Sequence, residues 1–331
     1  MVSDDYIFKY NYIVLGAGGY YLAGYKDIMN LPNVKYVLDY CEGFPSTLGK
    51  KIVRANFSKA INKYLKTPFK GYVYPRLFPH IFNDDKPICY LFFANWFFLF
   101  NSTYPEYIKK QNPRNKCVLY TQDLIKRHKY LKMEEVSKKM DLLLSYDKGD
   151  SEEYGMLFYP TPMSKNPFEL EEKEEKSDFY FCGKAKGRYE TVQELFRKLT
   201  KQGYTCDFNI LEMPSDAEHL EGIHYQDKLI DYKENLTHVL NTRCVVEVMQ
   251  DGADGFTPRL WESILYDKHL LTNNPVLENS HYYIQENIHL LKNGVDGQDY
   301  NWIKHDVSYP EELKDSLSPI NLLKFIDSHL S

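Results

Sequence analysis

The sequence lacks most short signatures of covalent or metal chemistry. Its six cysteines, Cys41, Cys89, Cys117, Cys182, Cys206 and Cys244, stand singly, with no C-x-x-C and no histidine at zinc-finger distance. That excludes a zinc ribbon and a disulfide framework and reads as thiols kept reduced in a cytoplasm. Ten histidines include no H-x-x-x-H, and the nearest pair, His219 and His224, is five apart, a poor fit to one helix face. No D-x-D occurs, and the adjacent carboxylates Asp84 and Asp85 diverge on a strand, so no metal site is expected. Without G-x-S-x-G or a catalytic-cysteine context, hydrolysis through a nucleophilic side chain is disfavoured. The longest apolar run, Ile88 to Phe100, is 13 residues long and carries Asn95, short of the ~20 needed to cross a bilayer. It reads as a buried strand running into a helix or turn, at most a membrane-surface patch. Met1 to Asn11 lacks the basic start and apolar run of a secretory signal, so a cytoplasmic location is expected. Nor is there an excess of positive charge: 41 Lys and Arg face 46 Asp and Glu for a net −5, which argues against nucleic acid as the main partner.

What is present is a globular, aromatic-rich composition over 331 residues, with 29 Tyr and 19 Phe, a length that favours two domains. Short apolar runs alternate with helical patterns, the rhythm of βα units and a parallel sheet buried on both faces. Strands are expected at 12–15, 34–38, 88–93, 117–120, 142–145 and 157–159, with helices at 58–65, 104–111 and 132–139 between them. The stretch 164–177, in which eight of 14 residues are charged, is the natural linker. The rhythm restarts at once, with strands at 179–182, 206–211, 244–249 and 269–272 and helices at 190–201, 232–241, 257–265 and 321–330. The expected domains are therefore 1–163 and 178–331, with a terminal helix that can cross back to brace the first domain.

Both halves open with a strand running into a glycine loop, YIVLGAGGYY and FYFCGKAKGRY. Glycines there let backbone amides approach a phosphate or sugar. The first loop, with Gly16, Gly18 and Gly19, misses the dinucleotide fingerprint G-x-G-x-x-G because position 21 is tyrosine, yet Asp39 stands where a ribose-binding acid would. A two-domain NAD(P)-dependent oxidoreductase is thus one alternative. The richest segment is VVEVMQDGADGFTPRLWESILYDKHLLTNNP at 245–275. Thr257 followed by Pro258 is a favourable helix start. Arg259 and Glu262, three apart, share a face of that helix opposite Leu260, Trp261, Ile264 and Leu265. A helix N-terminus, Thr257 and Arg259 can neutralise a diphosphate while Glu262 accepts from ribose hydroxyls, and both side chains are expected to face a cleft. The alternative is a surface salt bridge.

A strand, a D-G-x-x-G loop, a T-x-R-x-x-E helix and a strand ending in T-N-N resemble the donor half of GT-B-fold bacterial glycosyltransferases of capsule, exopolysaccharide or lipopolysaccharide assembly. Phe179 to Lys184 with Arg188 resembles the opening of that half. The resemblance implies an α/β chain of two Rossmann-like domains facing a central cleft. It further implies metal-independent transfer of a hexosyl-type sugar from a nucleotide sugar, UDP in the first instance, to a hydroxyl of a bacterial glycan or lipid-linked acceptor. Gly183, Lys184 and Arg188 would meet the phosphate or sugar, Thr257 and Arg259 the diphosphate, Glu262 the ribose, and Tyr225 the base. Gly16, Gly18 and Gly19 would lie on the acceptor side, with Asp39, Asp123 and His80 as candidate catalytic bases. No cofactor is implied, and the chain can be peripheral at the inner face of the membrane. Eight residues after Glu262 stands Leu270, where the widespread retaining pattern has a second glutamate, so the stereochemistry stays open. A non-catalytic protein that binds nucleotide sugar or glycan on this scaffold is the remaining alternative.

Overall fold

A computed structural model describes residues 6–58, 70–79, 82–128, 131–174, 176–185, 187–213, 218–228, 230–249, 255–291 and 299–330. The chain divides into two compact units, Met1–Pro162 together with Pro319–Ser331, and Met163–Ser318. Each is a Rossmann-like α/β domain built on one six-stranded, all-parallel sheet.

The first unit contains β1 (Asn11–Leu15), α1 (Tyr20–Gly24), β2 (Val34–Val37), α2 (Thr47–Phe57), α3 (Lys70–Val73), β3 (Ile88–Phe93), α4 (Tyr104–Gln111), β4 (Lys116–Thr121), β5 (Leu142–Ser145), α5 (Lys148–Tyr154) and β6 (Leu157–Phe158). The strand order is β2-β1-β3-β4-β5-β6. Every residue of β1 is buried, as expected of a strand covered on both faces. The second unit contains β7 (Ser177–Lys184), α6 (Tyr189–Lys201), β8 (Cys206–Leu211), β9 (Ile223–Gln226), α7 (Tyr232–Leu240), β10 (Thr242–Glu247), α8 (Pro258–Leu265), β11 (His269–Thr272) and β12 (Ile288–Leu290). Its order, β12-β11-β10-β7-β8-β9, places the first and fourth strands of the unit side by side. That is the doubly wound arrangement, whose chain reverses direction between β7 and β10, and loops leaving two such strands open a crevice.

α6 buries Val192, Leu195, Phe196 and Leu199 along one stripe and turns Glu190, Glu194 and Arg197 outward, which fixes it on the sheet. The last helix, α9 (Pro319–His329), belongs to the first unit. Leu322, Leu323 and Ile326 enter that unit's core. The fully buried Asp327 accepts from the Lys9 amide at 2.9 Å and the Tyr6 and Tyr12 hydroxyls at 3.2 and 3.0 Å. The described residues of the charged stretch after Met163 form no helix or strand before β7 and are tied to the second unit: the Met163 amide donates to Leu317 O at 2.8 Å, and the Lys173 amide to Asn241 Oδ1 at 2.6 Å.

Three local expectations need correction. A helix that the pattern did not announce, α2, is capped by Ser46, which accepts from the Gly49 amide, and it ends at Ser58, where the helix expected over 58–65 was to begin. The rest of that expected helix falls outside the described residues. The helix expected over 132–139 is only Met133–Val136. Two short edge strands, β9 and β12, escaped the pattern because strands of four and three residues show too little alternation. The apolar run at 88–100 is β3, a 3-10 turn and a short helix, mostly buried. Among the described residues no helix is long and apolar enough to cross a membrane.

Candidate functional site

The carboxyl ends of β7 and β10 gather two guanidinium groups. Arg188, just after the β7 loop, donates from Nε to Lys184 O at 3.0 Å and from Nη1 to Val248 O, past the end of β10. Arg259, on the first turn of α8, reaches back to Cys182 O on β7 through Nη2. The two side chains therefore cross-brace the strands at the reversal point. Both aim at Gly183, where a Cβ would lie 2.6 Å from Arg188 Nη2 and 3.1 Å from Arg259 Nη2. A residue with any side chain would push the guanidiniums off this spot, which is the reason for glycine here.

Among the described residues both arginines are held by backbone carbonyls, and neither forms an ion pair within 4 Å. Burial and the charge of Arg259 pull the Arg188 guanidinium down to about 10, with Glu247 opposing. Two like charges held at short range by neutral acceptors form a cradle for a planar or tetrahedral anion. α8 adds its N-terminus: Thr257 caps it by accepting from the Arg259 amide at 3.2 Å.

Glu247 is a site residue that the motif reading missed. It ends β10, is 1% exposed, and accepts from the hydroxyls of Thr257 and Thr272. A single carboxylate thus locks the α8 cap to the ends of β10 and β11. Its signal was present as a lone acid in the apolar run CVVEVM, since an acid on a strand buried on both faces needs partners. Asn274 extends the frame by donating to Gly255 O at 3.1 Å.

Glu262 corrects one expectation. It does not line an open face with Arg259: it is 4% exposed, and its Oε1 accepts from Tyr232 at 2.9 Å and Asn235 at 3.0 Å, both on α7. Burial raises its carboxyl above the ordinary range, while Arg259 and the two donors oppose that rise. The packing of α7 on α8 closes over a helix face that the sequence left open. Lys184 stands beside the cradle but is paired with Glu212. Tyr225 lies on the edge strand β9, two positions out from β7, and its hydroxyl accepts from the Leu220 amide at 2.7 Å. Residues 250–254, most of the D-G-x-x-G loop, lie outside the described residues.

In the first unit the loop after β1 is packed shut around Gly16. A Cβ there would sit 2.1 Å from the Tyr36 ring, and Gly16 O accepts from Trp96 Nε1 at 2.6 Å. Gly18 has open space around it, and Gly19, at φ 65°, precedes the five-residue α1. Asp39 follows β2 and accepts from the Cys41 amide at 2.9 Å; Asp123 follows β4, accepts from the Leu124 amide and pairs with Arg127 at 3.0 Å. His80 lies outside the described residues. Among the described residues no group of three or more His, Cys, Asp or Glu side chains is placed to hold a metal ion.

No protein-family model matches the chain, and no curated protein matches it. Solved structures do. An alpha-glucosyltransferase in complex with UDP-glucose and DNA containing an abasic site aligns at TM-score 0.49 and 13% identity over 96% of this chain and 90% of that one. The glycotransferase of kitacinnamycin aligns at 0.44 and 10% over 97% and 100%, and the trehalose-6-phosphate synthase OtsA at 0.43 and 11% over 72% and 71%.

Proposed function

We propose that the chain is a glycosyltransferase whose second unit holds the diphosphate of a nucleotide-sugar donor between Arg188 and Arg259. The observation that carries this reading is the convergence of two carbonyl-held guanidiniums on Gly183, beside the capped N-terminus of α8 and at the reversal point of a doubly wound sheet. Glycosyl transfer leaves negative charge on the departing nucleoside diphosphate. Preorganised cations and amides stabilise that charge more as it develops than in the ground state, and they need not reorganise. Glu247 fixes Thr257, so the helix end is set before the donor arrives. In this reading Tyr225 lies toward the base, and Glu262, buried under Tyr232 and Asn235, holds α8 against α7 and does not meet the ribose.

UDP is the nucleotide to test first. The acceptor we assign is a hydroxyl of a bacterial surface glycan or its lipid-linked precursor, with the chain peripheral at the cytoplasmic side of the membrane. Its proton passes to a base of the first unit, for which Asp39, Asp123 and His80 remain the candidates. Charge is met by arginine, so transfer proceeds without a metal. The nicotinamide alternative at Gly16 to Gly19 has little geometric support, because Tyr36 and Trp96 close on Gly16 and α1 has only five residues.

The test is calorimetric titration of UDP into the wild type and into Arg188→Ala and Arg259→Ala. Each variant should bind more weakly by about 1.5–3 kcal/mol, the contribution of a hydrogen bond to a charged group. Donor turnover should persist in excess EDTA. Unchanged affinity in both folded variants removes the diphosphate assignment, and activity restored only by Mn²⁺ or Mg²⁺ removes the metal-free one.

A further inference from the structure

We propose that the face formed by α2 and α3 in the first unit docks on an anionic lipid bilayer. This rests on the peripheral association proposed above and gives it a surface. Among the described residues, 43–58, 70–79 and 82–83 carry Lys50, Lys51, Arg54, Lys70 and Arg76 and no Asp or Glu. A chain of net −5 thus concentrates positive charge in one segment and carries its acid elsewhere.

The described part of that segment mixes charge with exposed apolar groups. On α2 the outward arc carries Leu48, Lys51 and Arg54, with Leu48 68% exposed. On α3, Tyr72 is 45% exposed and lies under the Arg76 guanidinium at 4.1 Å. Both apolar residues flank Phe44, whose ring centroid is 6.2 Å from that of Tyr72 and whose Cβ lies against Gly49, the neighbour of Leu48. A groove of about 290 Å³ opens between the ends of the same two helices, lined by Phe57, Tyr74, Phe97 and Phe98 with Lys70 beside them.

An exposed leucine among lysines suits an interface, where the apolar group enters the headgroup region and the lysine stems keep their ammonium groups in water. Nucleic acid would meet the same cations but offers Leu48 no apolar phase. Each Lys or Arg near an anionic surface strengthens binding about fivefold, and salt screens the effect.

The full chain should co-sediment with phosphatidylcholine vesicles containing phosphatidylglycerol, not with pure phosphatidylcholine, and should be released by salt. Lys50→Glu with Lys51→Glu should weaken binding at least about tenfold. Leu48→Ser with Tyr72→Ser should weaken it independently of salt. UDP-induced stabilisation in each variant checks that the fold and donor site are intact. A wild type that ignores anionic vesicles at low salt overturns both the association and the surface. Vesicle binding undiminished in both double variants overturns the surface alone. Capture by heparin or DNA without vesicle binding assigns the face to a soluble polyanion and overturns the proposal.

Discussion

Adding one methyl group at Gly183 tests the arginine cradle without removing any charge. The Cβ of Gly183→Ala would start 2.6 Å from Arg188 Nη2 and 3.1 Å from Arg259 Nη2, against 3.4 Å for ordinary contact. Arg188 must therefore withdraw by 0.8 Å and Arg259 by 0.3 Å. The backbone at 183 is not in the left-handed region, so alanine adds no φ strain. Both neighbours are the far ends of flexible side chains, so the fold should lose no more than about 1 kcal/mol, the low end of overpacking costs. The anion site suffers more, because a displacement near 1 Å spoils hydrogen-bond alignment and can cost about 100-fold in an organised site. Partial loss of two charge-assisted bonds should weaken UDP by about 1.5–3 kcal/mol, roughly 10- to 150-fold in Kd. Calorimetry reads the affinity, and urea unfolding reads the stability. Wild-type Kd in a variant of wild-type stability would falsify the placement of the diphosphate at Gly183. A large stability loss with unchanged affinity would refute the claim that only side-chain ends yield.

Glu247→Ala should destabilise the second unit by about 1–3 kcal/mol for each of the two hydroxyls left without its acceptor, read as a lower urea midpoint; an unchanged midpoint removes its locking role. The His238–Asp207 pair, 2.5 Å apart with Tyr180 stacked on the imidazole, gives the same unit a pH-dependent stability. The Asp207 hydrogen bond raises His238 above 6.5 against burial. Burial pushes Asp207 up, but the His238 bond and charge outweigh it and hold Asp207 below 3.8. The raised imidazole contributes fully below 6.5, and its share is lost as pH rises through its folded value. The depressed carboxyl contributes above 3.8, and its share is lost as pH falls through its folded value. Urea unfolding from about pH 5 to about pH 9 should show stability declining on the alkaline side, and His238→Asn should flatten that decline. An equal slope in the variant assigns the dependence to other groups.

Local chemistry made much of this protein legible. Thr257 and Pro258 start α8 because capping involves only neighbours in sequence. Strands such as 88–93 and 206–211 declare themselves as short apolar runs because a parallel sheet hides both faces. The glycine loop after β7 and the arginines near it could be named one by one. Their convergence could not. Cys182 and Arg259 are 77 positions apart and meet because β7 pairs with β10, which follows from the order of the whole sheet. Glu247 read as one acid among valines until β10 and β11 lay side by side and brought Thr272 to it. Glu262 read as an outward partner of Arg259, and the docking of α7 buried it under Tyr232 and Asn235. Periodicity records which face of an element avoids water. Which neighbour covers that face, and which distant loop meets it, is decided by long-range pairing that no local pattern encodes.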